Sequence, residues 1–370
     1  MAENKLAKLQ ALGQSVWLDT LSRDILVSGE LEHLINSGIT GVTTNPSIFE
    51  RAITRCDSYD KHILSLVKLG LEPEEVYRNL ACRDVDVAAD LLAEVYRKTN
   101  GVDGYVSIEV SPHLAHDTQA TINEARELWY ALARKNVMIK VPATSAGLTA
   151  ITRLIGEGIN INVTLLFGVD RYLEVIESYL QGLELLREAG ENLHEMASVA
   201  SFFLSRIDTL IDPRLATHTV AARAQGETAI ASARLAYSHF EALQRSARFQ
   251  RLKKLGARPQ RLLWASTSSK NPNYRDTHYV EPLIGPDTIN TMPLSTLKAF
   301  LAHGNAQSSL TGNTEKAATL IDNLSTWGID LARATRQLEH QGIKKFIDSH
   351  DSLLLAIRQK MNECEMGTAS

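Results

Sequence analysis

Asn136-Val-Met-Ile-Lys-Val-Pro-Ala-Thr144 alternates aliphatic side chains with others at every second position. That is the period of a β-strand, whose successive side chains point to opposite faces. Val137, Ile139 and Val141 share one face and call for a packed, apolar surface. Met138 and Lys140 share the other. A lysine flanked by Met, Ile and Val reads as a charge aimed into a buried place. Burial disfavours the ammonium form of a lysine. A neutral amine is a nucleophile that can form a Schiff base with a carbonyl.

Outward from this strand, short apolar runs recur. They are Ser15–Thr20, Gly41–Asn45, Gly104–Val110, Asn160–Phe167, Val199–Leu204, Arg261–Thr267 and Thr288–Thr291. Longer amphipathic stretches lie between most of them, such as Glu30–Ser37, Glu74–Lys98, Thr118–Lys135, Val169–Ala189 and Val220–Gly256. Alternating strands and helices argue for parallel sheet. Their number suits an α/β fold of the (β/α)8, or TIM-barrel, kind, which takes about 250 residues plus insertions. An open doubly wound sheet is the alternative. The Gly-x-Gly-x-x-Gly turn that such sheets use for dinucleotides is missing, as is a Gly-x4-Gly-Lys-Ser/Thr loop.

The whole chain, 1–370, reads as one such domain, with the barrel over about 14–305. The tail over about 311–365 reads as two or three further helices, with Gly328 and Gly342 as breaks. The apolar face of Phe346–Ile357 is expected to pack on the barrel, with an oligomer interface as the alternative.

Composition narrows the partners. The 370 residues carry a net charge of −4, with 44% hydrophobic and 22% charged residues. This is ordinary globular composition with no basic excess for nucleic acid. Cys56, Cys82 and Cys364 are dispersed and odd in number, as expected of reduced thiols in the cytoplasm. The charged N-terminus lacks the apolar core of a signal peptide, and no apolar run reaches the roughly 18 residues of a membrane span.

In a barrel the outward face of each strand packs on helices, and the inward face near the C-terminal mouth holds the chemistry. Six of the strands each fit one register. Trp17 and Asp19 go in while Val16 and Leu18 go out. Thr43 and Asn45 go in, as do Ser107 and Glu109. Asn160, Asn162 and Thr164 go in while Ile161, Val163 and Leu165 go out. Ser201 and Phe203 go in while Phe202 and Leu204 go out.

Each group has an ordinary explanation. Asp19 and Glu109 could cap helices, Asn45-Pro46 is a common turn pair, and Asn162 and Thr164 could be satisfied core polars. Together they are harder to dismiss, because buried polar groups are costly unless they bond one another or a ligand. A lysine beside two carboxylates, amides and hydroxyls suits carbonyl chemistry on a polyhydroxylated substrate. Arg206 and Lys270 follow the sixth and seventh strands, where such barrels often bind phosphate; a surface cation is the alternative for each. His113 and His116 are three apart with no third ligand nearby in sequence, so no metal is expected.

With these residues placed, the chain resembles the transaldolase family. The matching segments are Trp17-Leu-Asp-Thr-Leu-Ser22, Gly41-Val-Thr-Thr-Asn-Pro-Ser-Ile-Phe49, Val106-Ser-Ile-Glu-Val-Ser111, Ile139-Lys-Val-Pro-Ala-Thr144, Ile161-Asn-Val-Thr-Leu-Leu-Phe167 and Ser201-Phe-Phe-Leu-Ser-Arg206. Its length and the Trp264–Pro272 and Asn290–Pro293 segments look like the longer bacterial branch. The resemblance implies a Schiff-base barrel in the pentose phosphate pathway. It would move a dihydroxyacetone unit from sedoheptulose 7-phosphate to glyceraldehyde 3-phosphate, with no cofactor, as a monomer or homodimer.

By the same resemblance, Lys140 would be the nucleophile, and Glu109 the acid/base, acting through a water that Thr164 helps hold. Asp19 would move the proton of the C4 hydroxyl. Asn45, Asn162 and Ser201 would hold the dihydroxyacetone part, Phe203 would line the pocket, and Arg206 would bind phosphate. Many members carry a second phosphate arginine after the seventh strand, where this chain has Ala265-Ser-Thr-Ser-Ser-Lys270. Lys270 is the expected substitute, without the bidentate fork of an arginine. A fructose-6-phosphate aldolase-like enzyme is the nearest rival, although the resemblance puts a tyrosine there in place of Glu109. A non-catalytic sugar-phosphate sensor is the rival from another class.

Overall fold

The computed structural model describes residues 4–368. Among them, eight strands close into a parallel barrel in sequential order: β1 (Gln14–Leu18), β2 (Gly41–Thr43), β3 (Tyr105–Glu109), β4 (Val137–Pro142), β5 (Ile161–Leu166), β6 (Ser198–Phe203), β7 (Arg261–Ala265) and β8 (Thr288–Met292). β8 pairs with β1 to complete the closure. The protein is a (β/α)8 TIM barrel, and the strands lie where the alternation places them. The expected helix over 220–256 is interrupted: Thr228–Arg245 ends at Ser246, whose side chain caps a second helix, Ala247–Lys254.

The two faces of the strands separate as the pattern requires. Val137, Ile139 and Val141 are fully buried beneath the surrounding helices. On the inner face, Trp17 pairs in register with Gly41, and Gly41 with Tyr105. A Cβ on Gly41 would come within 2.5 Å of the Trp17 ring, so the indole occupies the space of the absent side chain. Trp17 Nε1 donates to Asp103 Oδ1 at 2.7 Å. Ser15 hydrogen-bonds the other Asp103 oxygen and also accepts from Arg261 Nη2 at 2.8 Å. These groups seal the end of the barrel where the strands begin.

One strand departs from simple alternation. The β5–β6 register shifts between Val163 and Leu166, and Leu165 has φ +55°. A leucine in the left-handed region marks a bulge, which re-aims side chains. Leu165, expected outward, brings its Cδ2 to within 2.9 Å of where a Cβ would stand on Gly342 of the C-terminal helix.

Gly342 itself corrects the reading of the tail. Gly328 ends the helix Thr314–Thr326 with φ +74°, as a break should. Gly342 breaks nothing, because one helix runs from Leu331 to Thr368. It is a point of close approach. A glycine inside a helix costs about 1 kcal/mol relative to alanine, and here it lets the helix lie on Leu165 and beside Arg206 Nη1, 3.5 Å from the Cβ position. The C-terminal helix also packs against the helices Pro46–Arg55 and Asp60–Val67. Ser349 Oγ meets Ser47 Oγ at 2.6 Å, and Lys360 pairs with Asp60 at 2.5 Å.

Candidate active site

Register alone brings the first reactive groups together. Glu109 on β3 pairs with Lys140 on β4, and Lys140 with Asn162 on β5. In-register neighbours of a parallel sheet face the same way, so all three point into the barrel. Lys140 is 4% exposed, and its Nζ lies 3.9 Å from Glu109 Oε2. That amine also donates to the Thr44 carbonyl at 2.9 Å. Asn162 donates to Ser107 Oγ at 2.9 Å and accepts from Ser201 Oγ at 2.7 Å. The three side chains form a fixed rail across β3, β5 and β6.

Two carboxyls flank the lysine. Burial pushes Glu109 up to about 7, opposed by the attraction of Lys140. Neither Glu109 oxygen has a hydrogen-bond partner in the protein, and neither does the buried hydroxyl of Thr164 on β5. Such groups are costly to bury, so this polar capacity is held for something other than the fold. Asp19 follows β1 directly. Burial raises its pKa, while Lys140 and a 2.9 Å hydrogen bond from Thr43 Oγ1 pull the other way. Thr43 is held in turn by Thr291 Oγ1 at 2.7 Å.

Above these groups, at the C-terminal ends of the strands, lies an open cavity of about 860 Å³. Asp19, Asn45, Phe203, Arg206 and Lys270 line it. Lys140, Glu109, Thr164, Asn162 and Ser201 do not; all five are buried. Asp19 thus belongs both to the cavity wall and to the surroundings of the lysine, which acts on its charge.

Asn45 serves the fold as well, since its side chain caps the Pro46–Arg55 helix by accepting from Ile48 N at 3.0 Å. The Arg206 guanidinium lies 5.6 Å from the Phe203 ring and 5.9 Å from that of Phe346 on the C-terminal helix. Burial lowers the pKa of Arg206, opposed by the attraction of Asp19 and Glu109. Lys270 donates to Ser268 Oγ at 2.6 Å.

Sequence reasoning missed part of this wall. Ser47, Arg51 and Arg55 line the cavity from one face of the capped helix. Their i, i+4, i+8 spacing was the available signal. Lys345, Phe346 and Ser349 of the C-terminal helix also line it, and no local motif marks them. A separate groove of about 670 Å³, lined by Tyr130, Arg153, Glu157, Leu185 and Glu195 among others, holds none of the expected residues.

The histidine reading needs a correction. His113 does gain neighbours, but across the fold: ligand atoms of His113, His350 and Asp351 lie within 4.8 Å of one another. His116 is not among them. His113 Nε2 meets Asp351 Oδ1 at 2.7 Å, and the His350 ring packs edge-on against His113 and Tyr77. A hydrogen bond and ring contacts link these side chains. Cys56 and Cys82 are free thiols, whereas the side chain of Cys364 lies outside the described residues. Among the described residues, no helix is long and apolar enough to cross a membrane.

Fold and site together define a (β/α)8 barrel with a buried lysine–carboxylate centre beneath a cationic mouth. Comparison with known proteins makes the assignment specific. The model of the family Transaldolase/Fructose-6-phosphate aldolase matches residues 16–357. The transaldolase of Mycolicibacterium smegmatis is 48% identical over 367 residues, covering 98% of this chain and 99% of that protein. Transaldolase 2 of a Nostoc species is 44% identical over 375 residues, covering 98% of each. The transaldolase of Mycobacterium tuberculosis is 47% identical over 362 residues, covering 96% of this chain and 97% of that protein. The chain belongs to the transaldolase/fructose-6-phosphate aldolase family.

Proposed function

We propose that this protein is a transaldolase working through an imine on Lys140. The observation that carries the proposal is the Lys140 amine 3.9 Å from a buried carboxyl whose pKa lies near neutrality. Lys140 attacks the C2 ketone of sedoheptulose 7-phosphate or fructose 6-phosphate. Glu109 in its acid form supplies the proton with which the C2 oxygen leaves as water, through a water that Thr164 helps hold. The resulting iminium is the electron sink, so no metal or organic cofactor is called for.

Asp19 then takes the C4 hydroxyl proton, the C3–C4 bond breaks, and its electrons enter the iminium to leave an enamine on Lys140. An aldose phosphate departs. The enamine adds to the aldehyde of glyceraldehyde 3-phosphate, Asp19 returns its proton to the new C4 oxygen, and hydrolysis releases fructose 6-phosphate. Each group takes an ordinary acid–base or nucleophilic role. The Ser107–Asn162–Ser201 rail and Asn45 supply polar partners for the dihydroxyacetone hydroxyls. Arg206 and Lys270 receive the phosphate, and Phe203 presents a ring to the carbon chain.

Transfer is separated from simple aldol cleavage by following fructose 6-phosphate with and without erythrose 4-phosphate. A transaldolase consumes the donor steadily only with the acceptor and forms sedoheptulose 7-phosphate. Equal consumption without acceptor, releasing dihydroxyacetone, would make it an aldolase.

A further inference from the structure

We propose that the C-terminal helix is part of the substrate site, and that Lys345, with Arg51, completes the phosphate cradle begun by Arg206 and Lys270. This rests on the sugar-phosphate reading above and adds residues that neither the motifs nor the barrel strands supply.

These four cations line one cavity, with Arg55 as a fifth. They are close enough to act on one another: Lys345, Arg206 and Arg51 each disfavour the charged form of Lys270, and Arg206 and Arg51 do the same to Lys345, in both cases after desolvation. Like charges gathered in this way repel unless an anion is placed among them. Among the described residues none of the four is spent on an ion pair. Arg51 Nε donates to the Ser47 carbonyl at 3.0 Å, Lys270 to Ser268, and Arg206 lies over two aromatic rings. Asp19 attracts Arg206 and Lys270 from below, and Glu50 lines the same cavity.

Lys345 is positioned rather than merely nearby. Gly342, one turn earlier, gives the helix its close approach to Leu165 and Arg206. Phe346, the next residue, is buried with its ring beneath the Arg206 guanidinium. Ser349, one turn later, is joined to Ser47 of the Arg51 helix. These three contacts set Lys345 beside Arg206 at the cavity wall.

The chemistry explains why lysines serve here. Donors of six and seven carbons held by the same C2 imine place their phosphates one carbon apart. An arginine fork fixes an anion in one geometry, whereas a lysine is a point charge on a flexible stem. The flexible stems of Lys270 and Lys345 let them follow the phosphate between its two positions, while Arg206 and Arg51 line the same wall.

The test is calorimetric binding of inorganic phosphate to the full-length protein and to Lys345→Met and Lys345→Arg, with circular dichroism to confirm folding. Fructose 6-phosphate kinetics are measured on the same samples. Losing one charge-assisted contact should weaken phosphate binding roughly tenfold in Lys345→Met and raise KM with little change in kcat. Lys345→Arg should restore most of the affinity. Phosphate affinity and KM unchanged in a folded, active Lys345→Met would overturn the inference and leave the transaldolase reading standing. Phosphate binding that depends on Lys345 in a protein that transfers no three-carbon unit would support the anion site and overturn the functional reading instead.

Discussion

Glu109→Gln isolates the acid–base step, because it keeps the shape of the side chain and removes the titrating proton. Neither carboxyl oxygen holds a protein hydrogen bond, so the substitution breaks none and removes the charge that faces Lys140. The nearest opposite charge is Lys140 Nζ at 3.9 Å. A carboxyl displaced from 4.5 to about 7 is biased toward its neutral form by about 3 kcal/mol. Near pH 7 it is thus available both as the acid that expels water and as the base that readmits it.

A positioned acid–base group contributes roughly 10²–10⁴-fold to rate, or about 3–5 kcal/mol of barrier. Glu109→Gln should lower kcat by that factor, with KM changed far less. The assay couples aldose phosphate release from fructose 6-phosphate, with erythrose 4-phosphate present, to a dehydrogenase across the neutral pH range. Wild type should show a limb near pH 7, where Glu109 titrates, which the variant lacks. The stability sign is also fixed. A carboxyl with a raised folded-state pKa costs stability as pH rises from its unfolded value to about 7, so Glu109→Gln should melt higher than wild type at pH 8. A kcat within roughly threefold of wild type, far short of the general acid–base range, with the same pH limb, would refute the role.

Lys270→Ala should mainly raise KM for phosphorylated substrates, and an unchanged KM would remove Lys270 from the site. Gly342→Leu should lift the C-terminal helix from Leu165 and Arg206, costing about 1–3 kcal/mol through overpacking and raising KM together with a fall in melting temperature; a stable variant with normal KM would show the close approach to be unimportant. Asp208 is pushed up to about 7, first by burial, while Ala229 N and Tyr279 OH donate to it. Its contribution makes the folded state less stable as pH rises from about 4 to 7, so Asp208→Asn should raise the melting temperature more at pH 8 than at pH 5, and the opposite pattern in thermal melts would contradict this.

The barrel was legible because six strands each had one register that buried their aliphatics, and the same registers place Glu109, Lys140 and Asn162 side by side. Asp19, Asn45, Phe203, Arg206 and Lys270 were legible as residues at or just beyond strand ends. Three features were not. The bulge at Leu165 lies beside the C-terminal helix, and strand alternation does not record it. Gly342 looks like a break because local propensity cannot distinguish a helix stop from a close approach. Lys345, His350 and Asp351 meet residues far away in the chain, and no periodicity encodes such pairings.

The most direct test of the imine is borohydride reduction in the presence of fructose 6-phosphate, followed by peptide mass mapping. A dihydroxyacetone-sized adduct on the peptide carrying Lys140, absent from Lys140→Met, is the predicted result. Folded protein with authentic substrate that yields no adduct, or yields it on another lysine, would contradict the account.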